Sequence, residues 1–176
     1  MTVAPPSLDA ACLPPFDADL FLNPRRKLCP ADASAALIRQ ADGRYLMQFR
    51  DVLPGVFYPG HWGCFGGALE AGETPREGLM REVQEEIGYR PPQEAITDFT
   101  SVTFDFSFCG LGIIHRWYFL IDLPDGVETS LVLGEGFTMK AWALDDLLTC
   151  ERIVPYDSFA LWLLRNQTAF HQAAEN

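Results

Sequence analysis

Apolar residues along this chain fall into short runs separated by glycine- and proline-bearing breaks. Ala33 to Arg39 is apolar and reads as a buried strand. Asp42-Gly43 is a hairpin-turn pair, and Arg44 to Arg50 alternates as a second strand. Asp51 to Gly60 carries Pro54-Gly55 and Pro59-Gly60 and reads as a loop. Trp62 to Leu69 reads as a short, glycine-punctuated strand running into a further loop. Thr74 to Ile87 has helical spacing, with Leu79, Val83 and Ile87 at i, i+4 and i+8. Ile96 to Phe108 and Gly112 to Asp122 are β-rich and flank a hairpin at Cys109-Gly110-Leu111. Met139 to Leu144 is a last strand, Asp145 to Cys150 a short helix, and Pro155 to about His171 a longer amphipathic one. Phe159, Leu161, Trp162, Leu163 and Leu164 give that last helix a broad apolar arc to lay on a sheet. This order predicts an α/β (α+β) fold, a mixed sheet flanked by helices.

The first 30 residues stand apart. They are rich in proline and alanine, with prolines at 5, 6, 14, 15, 24 and 30. We expect an extended arm over residues 1–30 and one domain over 31–176. Phe16 to Leu22 is apolar enough to dock as an edge strand.

Composition narrows the class. A chain of 176 residues, 48% apolar and 12% aromatic, suffices for one well-filled core. No run of about 18 apolar residues is present, so no membrane span is expected. The start lacks the basic and apolar regions of a secretory signal, so a cytoplasmic location is expected. Five widely spaced cysteines with no C-x-x-C pair argue against a zinc site or a disulfide framework and read as small buried or inert thiols. A net charge of −11 disfavours nucleic acid and anionic membrane as partners. It also means that an anionic small molecule needs a cation to bring it in.

The helix supplies a place for one. Thr74-Pro75-Arg76-Glu77 has the form of a capping box with proline at the first helical position, and Gly88 offers a left-handed stop. Glu82, Glu85 and Glu86 fall at i, i+3 and i+4, as neighbours on one face. Two such carboxylates about 5 Å apart repel by roughly 3 kcal/mol at an effective dielectric near 20. Alone, the three read as a solvated acidic face. Two neighbours change that. Gly66-Gly67 lets a backbone carbonyl approach as a ligand, and Glu73 and Arg81 are placed to pair and hold the loop against the helix. The cluster then suits a hard cation such as Mg²⁺ or Mn²⁺.

Written out, Gly67, Glu73, Arg81-Glu82-Val83, Glu85-Glu86 and Gly88-Tyr89 fill every defined position of a 23-residue pattern. That pattern is the Nudix box, G-x5-E-x7-R-E-U-x-E-E-x-G-U with U apolar, and the chain resembles the Nudix hydrolases. Trp62-Gly-Cys-Phe65-Gly66-Gly67 is similar to the family's lead-in, with Phe65 where proline is common. The resemblance implies the Nudix fold, a mixed sheet sandwiched between helices, from about Ala33 to His171. It implies hydrolysis of a nucleoside diphosphate linked to another moiety, with water attacking phosphorus. Glu82, Glu85, Glu86 and the Gly67 carbonyl would hold metal, and Arg81 and Glu73 would orient the loop–helix–loop. The general base would be Glu82 in the box or Glu135 on the later loop Leu133 to Phe137. A homodimer is also in keeping with the family.

On the substrate side, the candidates are Arg50 as a phosphate clamp, Phe57 and Trp62 as aromatic faces, and Arg116. Tyr58 to Gly63 is similar to a nucleotide-sugar-directed bacterial subgroup; nucleoside triphosphates and ADP-ribose are alternatives. Two competing readings are weaker. A non-catalytic nucleotide sensor on this fold would typically have lost box glutamates, and all are kept. An isoprenoid-diphosphate isomerase needs an acid/base cysteine, and Cys64 does not fall where that residue would.

Overall fold

The computed structural model describes residues 13–174, with side chains to His171. The first 12 positions of the expected arm lie outside the described residues. Six strands form one mixed sheet: β1 (Ala33–Arg39), β2 (Tyr45–Phe49), β3 (Trp62–Gly63), β4 (Ile96–Asp105), β5 (Ile113–Asp122) and β6 (Thr138–Trp142). The path runs β3-β2-β1-β5-β4, and β6 pairs with β2. Only β1 and β5 run parallel among these pairs, in register from Ala33↔Arg116 to Arg39↔Asp122.

Strand alternation divides the apolar residues between two cores. Ala36, Ile38, Leu46, Phe119 and Ile121 face one side, where α2 (Pro75–Ile87) lays down Leu79, Met80, Val83 and Ile87. Ala35, Leu37, Met47, Phe49 and Tyr118 face the other, against α3 (Leu144–Leu148) and α4 (Pro155–Arg165) through Leu147, Ala160, Leu161 and Leu164. The expected sandwich of a mixed sheet between helices is the fold.

One departure from regular pairing creates the site. β1 and β2 are registered only at Ile38↔Leu46 and Arg39↔Tyr45, and then diverge. Residues 62–68 fill the wedge. Ala36 N donates to Phe65 O at 2.8 Å and Ser34 N donates to Gly67 O at 3.0 Å. Gly66 sits at φ 122°, with the Ser34 carbonyl where a Cβ would go. Only glycine fits here.

Several elements differ from expectation. Phe16 to Leu22 contains a helix, α1 (Ala18–Leu22), rather than an edge strand: Asp17 accepts from Leu20 N at 2.9 Å and captures the first turn. The expected strand over Trp62 to Leu69 is confined to Trp62–Gly63, because Gly66 bends the chain into the wedge. The Ile96 to Phe108 run ends at Asp105, where Ser107 N bonds back to the Asp105 carboxylate and a 3₁₀ turn follows. The last helix is two, α4 and α5 (Gln167–Ala174), broken at Asn166, whose side chain caps back onto Trp162 O at 2.8 Å. The described cysteines are free thiols; Cys29 and Cys109 are exposed, Cys150 is half-buried and Cys64 is buried.

Candidate active site

The helix that carries the glutamates is held at both ends as its sequence requires. Thr74 and Glu77 form the reciprocal capping box, and Gly88 closes the helix at φ 70°. Arg81 fastens the preceding loop to it. Its Nε and Nη2 donate to the two Glu73 carboxylate oxygens at 2.8 and 3.0 Å, and Nη2 also donates to Ala68 O at 3.0 Å. Its Nη1 donates to Glu82 at 2.9 Å and to Glu85 at 3.0 Å. One guanidinium thus gathers three carboxylates, and the Glu73 fork raises its pKa further above the ordinary value.

Glu86 has a different environment. It is 6% exposed. One oxygen accepts from Gly66 N at 2.6 Å and the other from Gln48 Nε2 at 3.2 Å. Burial, with the Glu82 charge adding to it, pushes its carboxyl up to about 8. Burial also raises Glu82, and the charges of Glu85 and Glu135 push the same way. Glu82 reaches the glycine shelf: a Cβ on Gly67 would stand 2.6 Å from its carboxyl carbon. Glu135 belongs to an exposed loop pinned from below by Gln48 Nε2 to Glu135 O (3.0 Å) and Gly134 N to Glu86 O (2.7 Å). Glu82, Glu85, Glu86, Glu135 and Gly67 therefore share one locality.

These groups fit a divalent cation. Glu82 and Glu86, raised chiefly by burial, are short of compensating positive charge, and a backbone shelf lies open next to them. They are not gathered into a finished cage: among the described residues no three acidic, imidazole or thiol groups stand in ligand arrangement. Glu82 and Glu85 are turned onto Arg81, and holding a cation requires at least Glu85, the exposed one, to turn back.

A cavity of about 530 Å³ opens at the same shelf. Gly66, Gly67 and Ala68 form its lip, and Arg50, Phe57, Tyr58, Phe104, Arg116 and Tyr156 line it. Arg50 makes no side-chain hydrogen bond or ion pair among the described residues, and its Nε is buried without a partner. Most other arginines are paired with carboxylates, so Arg50 is a cation facing a gap in an acidic protein. Arg116 is buried on the cavity wall beside Asp157. Trp62 does not belong there. It is 3% exposed, opposite Phe49 in the strand register, and packed edge-on against Phe49 and Trp142, so it has no face for a ligand.

Three contributors escape sequence reasoning. Gln48 orients Glu86 from within an otherwise apolar strand; a polar residue among five buried positions was the available signal. Asp157, wholly buried, accepts from Cys64 N, Arg116 Nε and Tyr118 Oη. Nothing in Pro155-Tyr-Asp157-Ser distinguishes it from an ordinary first-turn acid. The segment before β1 supplies Leu20, Phe21, Pro24 and Leu28 to the cavity wall, and no local pattern announces that.

The model of the NUDIX domain family matches residues 30–162, and the chain belongs to that family. Among individual relatives, it is 41% identical over 69 residues to the nucleoside triphosphatase NudI of Enterobacter sp. (strain 638). It is 43% identical over 65 residues to the protein of the same name from Escherichia coli (strain SE11). These matches cover 39% and 37% of this chain, and 43% of each relative, less than half their length. The fold is similar to that of a MutT protein from Methanosarcina mazei Go1, with a TM-score of 0.64 and 20% identity over 81% of this chain and 98% of that one.

Proposed function

We propose that this chain hydrolyses a diphosphate linkage in a small nucleotide, with a nucleoside triphosphate as the favoured substrate class. The observation that carries the proposal is the shared lip: the Glu82/Glu85/Glu86 cluster and the cavity meet at Gly66-Gly67. A molecule with phosphates at the cluster has its remaining part at the cavity mouth. The similarity to proteins named nucleoside triphosphatase favours triphosphates over nucleotide sugars.

Glu82, Glu85, Glu86 and the Gly67 carbonyl would hold Mg²⁺ or Mn²⁺. Gly67 O has one lone pair engaged by Ser34 N and one to spare. When bound, the cation neutralises phosphate oxygens and lowers the pKa of water. The chain's own residues do the rest. Arg50, unpaired at the cavity, binds a phosphate oxygen and orients the linkage. Arg81 and Glu73 keep loop and helix in register. Glu135 takes the proton from the attacking water. Its carboxylate accepts no hydrogen bond among the described residues, whereas Glu82 is engaged by Arg81. The test compares Glu135→Gln with Glu82→Gln. Glu135→Gln keeps cation affinity and loses turnover; Glu82→Gln loses both. Turnover surviving in Glu135→Gln would transfer the proton step to Glu82.

A further inference from the structure

The cavity has a chemical asymmetry that neither its shape nor the acidic cluster explains. Its walls are largely apolar or aromatic: Leu20, Phe21, Phe57, Phe104, Ile114 and Tyr156. Set into them is Arg116, 8% exposed. Among the described residues only its Nε is hydrogen-bonded, to Asp157 at 3.3 Å and to Tyr118 Oη at 3.2 Å. Neither Nη1 nor Nη2 has a partner among the described residues, and Nη2 is wholly buried. The guanidinium lies over the Tyr156 ring, 5.1 Å from its centre. Nη2, having no accessible surface, is closed to a ligand; Nη1, unpartnered among the described residues, is the nitrogen a molecule in the cavity can reach, and it points to a ligand that brings an acceptor.

The charge count limits what that acceptor is. Asp157, wholly buried and in contact, already balances Arg116, and Arg50, the cavity's other cation, is taken up by the phosphate in the preceding reading. A second anion would leave excess negative charge in a low-dielectric place, whereas a neutral carbonyl oxygen adds none. The aromatic walls suit a flat ring.

We propose that this cavity binds the base of the nucleotide, with Arg116 donating to a keto oxygen on the ring edge, so that keto bases are selected over their amino counterparts. The inference rests on the preceding reading that the ligand is a nucleotide whose phosphates lie at the acidic cluster. An exocyclic amino group at that edge would set N–H against N–H and leave the arginine unsatisfied. The segment before β1 is part of the subsite. Leu20 and Phe21 close one wall, and Phe21 is held by Tyr58 and His61 at ring distances of 5.6 and 5.3 Å. Residues 13–29 lie outside the matched family region, so this wall is a feature of the chain rather than of the matched domain.

The test is calorimetric binding of nucleoside monophosphates to the full chain, comparing UMP with CMP and IMP with AMP. Each pair exchanges a keto oxygen and its neighbouring ring N–H for an amino group and a bare ring nitrogen. Monophosphates contain no diphosphate, so the result does not depend on turnover. In whichever pair binds, the keto member should bind about ten-fold tighter or more. Arg116→Lys keeps the charge beside Asp157 but removes the planar fork, and should reduce the preference to about two-fold. If that variant does not fold, the wild-type pairs decide alone. Phe21→Ala should weaken both members alike and leave their ratio unchanged. Equal affinities, a preference for the amino member, or no binding in either pair overturns the proposal. An enzyme that cleaves triphosphates without this preference would sink the keto assignment while leaving the hydrolase reading intact.

Discussion

Replacing Glu86 by glutamine removes one ionisation and almost no volume, and its consequence has opposite signs with and without metal. The folded carboxyl sits at about 8 and the ordinary glutamate value is 4.5. Between these values the folded chain holds a proton that the unfolded chain has released, so stability falls as pH rises. The contribution of the protonated carboxyl is complete below 4.5 and is lost as pH passes through about 8. At about 1.4 kcal/mol per pH interval, ionised Glu86 costs the metal-free protein about 3–5 kcal/mol above pH 8. Glu86→Gln escapes that cost. Its amide oxygen still accepts from Gly66 N, and a flip of Gln48 accepts the new N–H while giving up the Gln48 bond to Glu135 O, a smaller loss than the ionisation cost removed. For a domain of this size, the metal-free variant should melt about 10 °C above wild type at pH 8.5 and nearly level with it at pH 5. Adding Mg²⁺ at pH 8.5 should raise the wild-type melting temperature and scarcely move the variant. Scanning calorimetry over pH 5–9, with chelator and with Mg²⁺, measures all four conditions. A metal-free difference that does not grow with pH would refute the claim that Glu86 is a buried carboxyl awaiting a cation.

Other expectations follow from single contacts. Gly66→Ala forces a Cβ onto the Ser34 carbonyl in a left-handed backbone; it should cost more than about 3 kcal/mol and yield little folded protein, seen in denaturant titration. Gly67→Ala meets first the Glu82 carboxyl, the end of a flexible side chain, and should fold but lose cation affinity by calorimetry. Arg50→Ala should raise KM about 10- to 100-fold with a smaller change in kcat, since it removes the proposed phosphate contact and no internal bond among the described residues. Asp157→Asn leaves Arg116 uncompensated in the core and should lower stability by about 3–5 kcal/mol, seen in denaturant titration.

What was legible in the sequence was local or pattern-based. The ends of α2 were readable because proline, threonine, glutamate and glycine each suit one capping position. The pairing of Arg81 with Glu73 followed from their spacing about a helix start. Strand positions followed from alternation and turn residues, with errors where a side chain intervened. Asp17 turned an apolar stretch into a helix, and Asn166 divided one helix into two. The substrate side was poorly legible because its residues come from distant segments. Arg116 and Asp157 meet across 41 positions, and the arm reaches the cavity only after the sheet is assembled. Trp62 was misplaced for a related reason: its neighbours Phe49 and Trp142 belong to β2 and β6, so its burial depended on register. An aromatic beside an active-site motif looks the same in sequence whether it stacks on a ligand or fills a core.

The central claim is cation-dependent cleavage of a diphosphate by the Glu82/Glu85/Glu86 cluster. Its most direct test incubates the purified chain with a nucleoside triphosphate and follows the products by phosphorus NMR, first with Mg²⁺ and then after excess chelator. Cleavage that stops on chelation, returns with Mg²⁺ and is absent in folded Glu86→Gln is the predicted result. Cleavage that continues without metal, or a wild-type chain that binds nucleotide with Mg²⁺ and never cleaves it, would contradict the account.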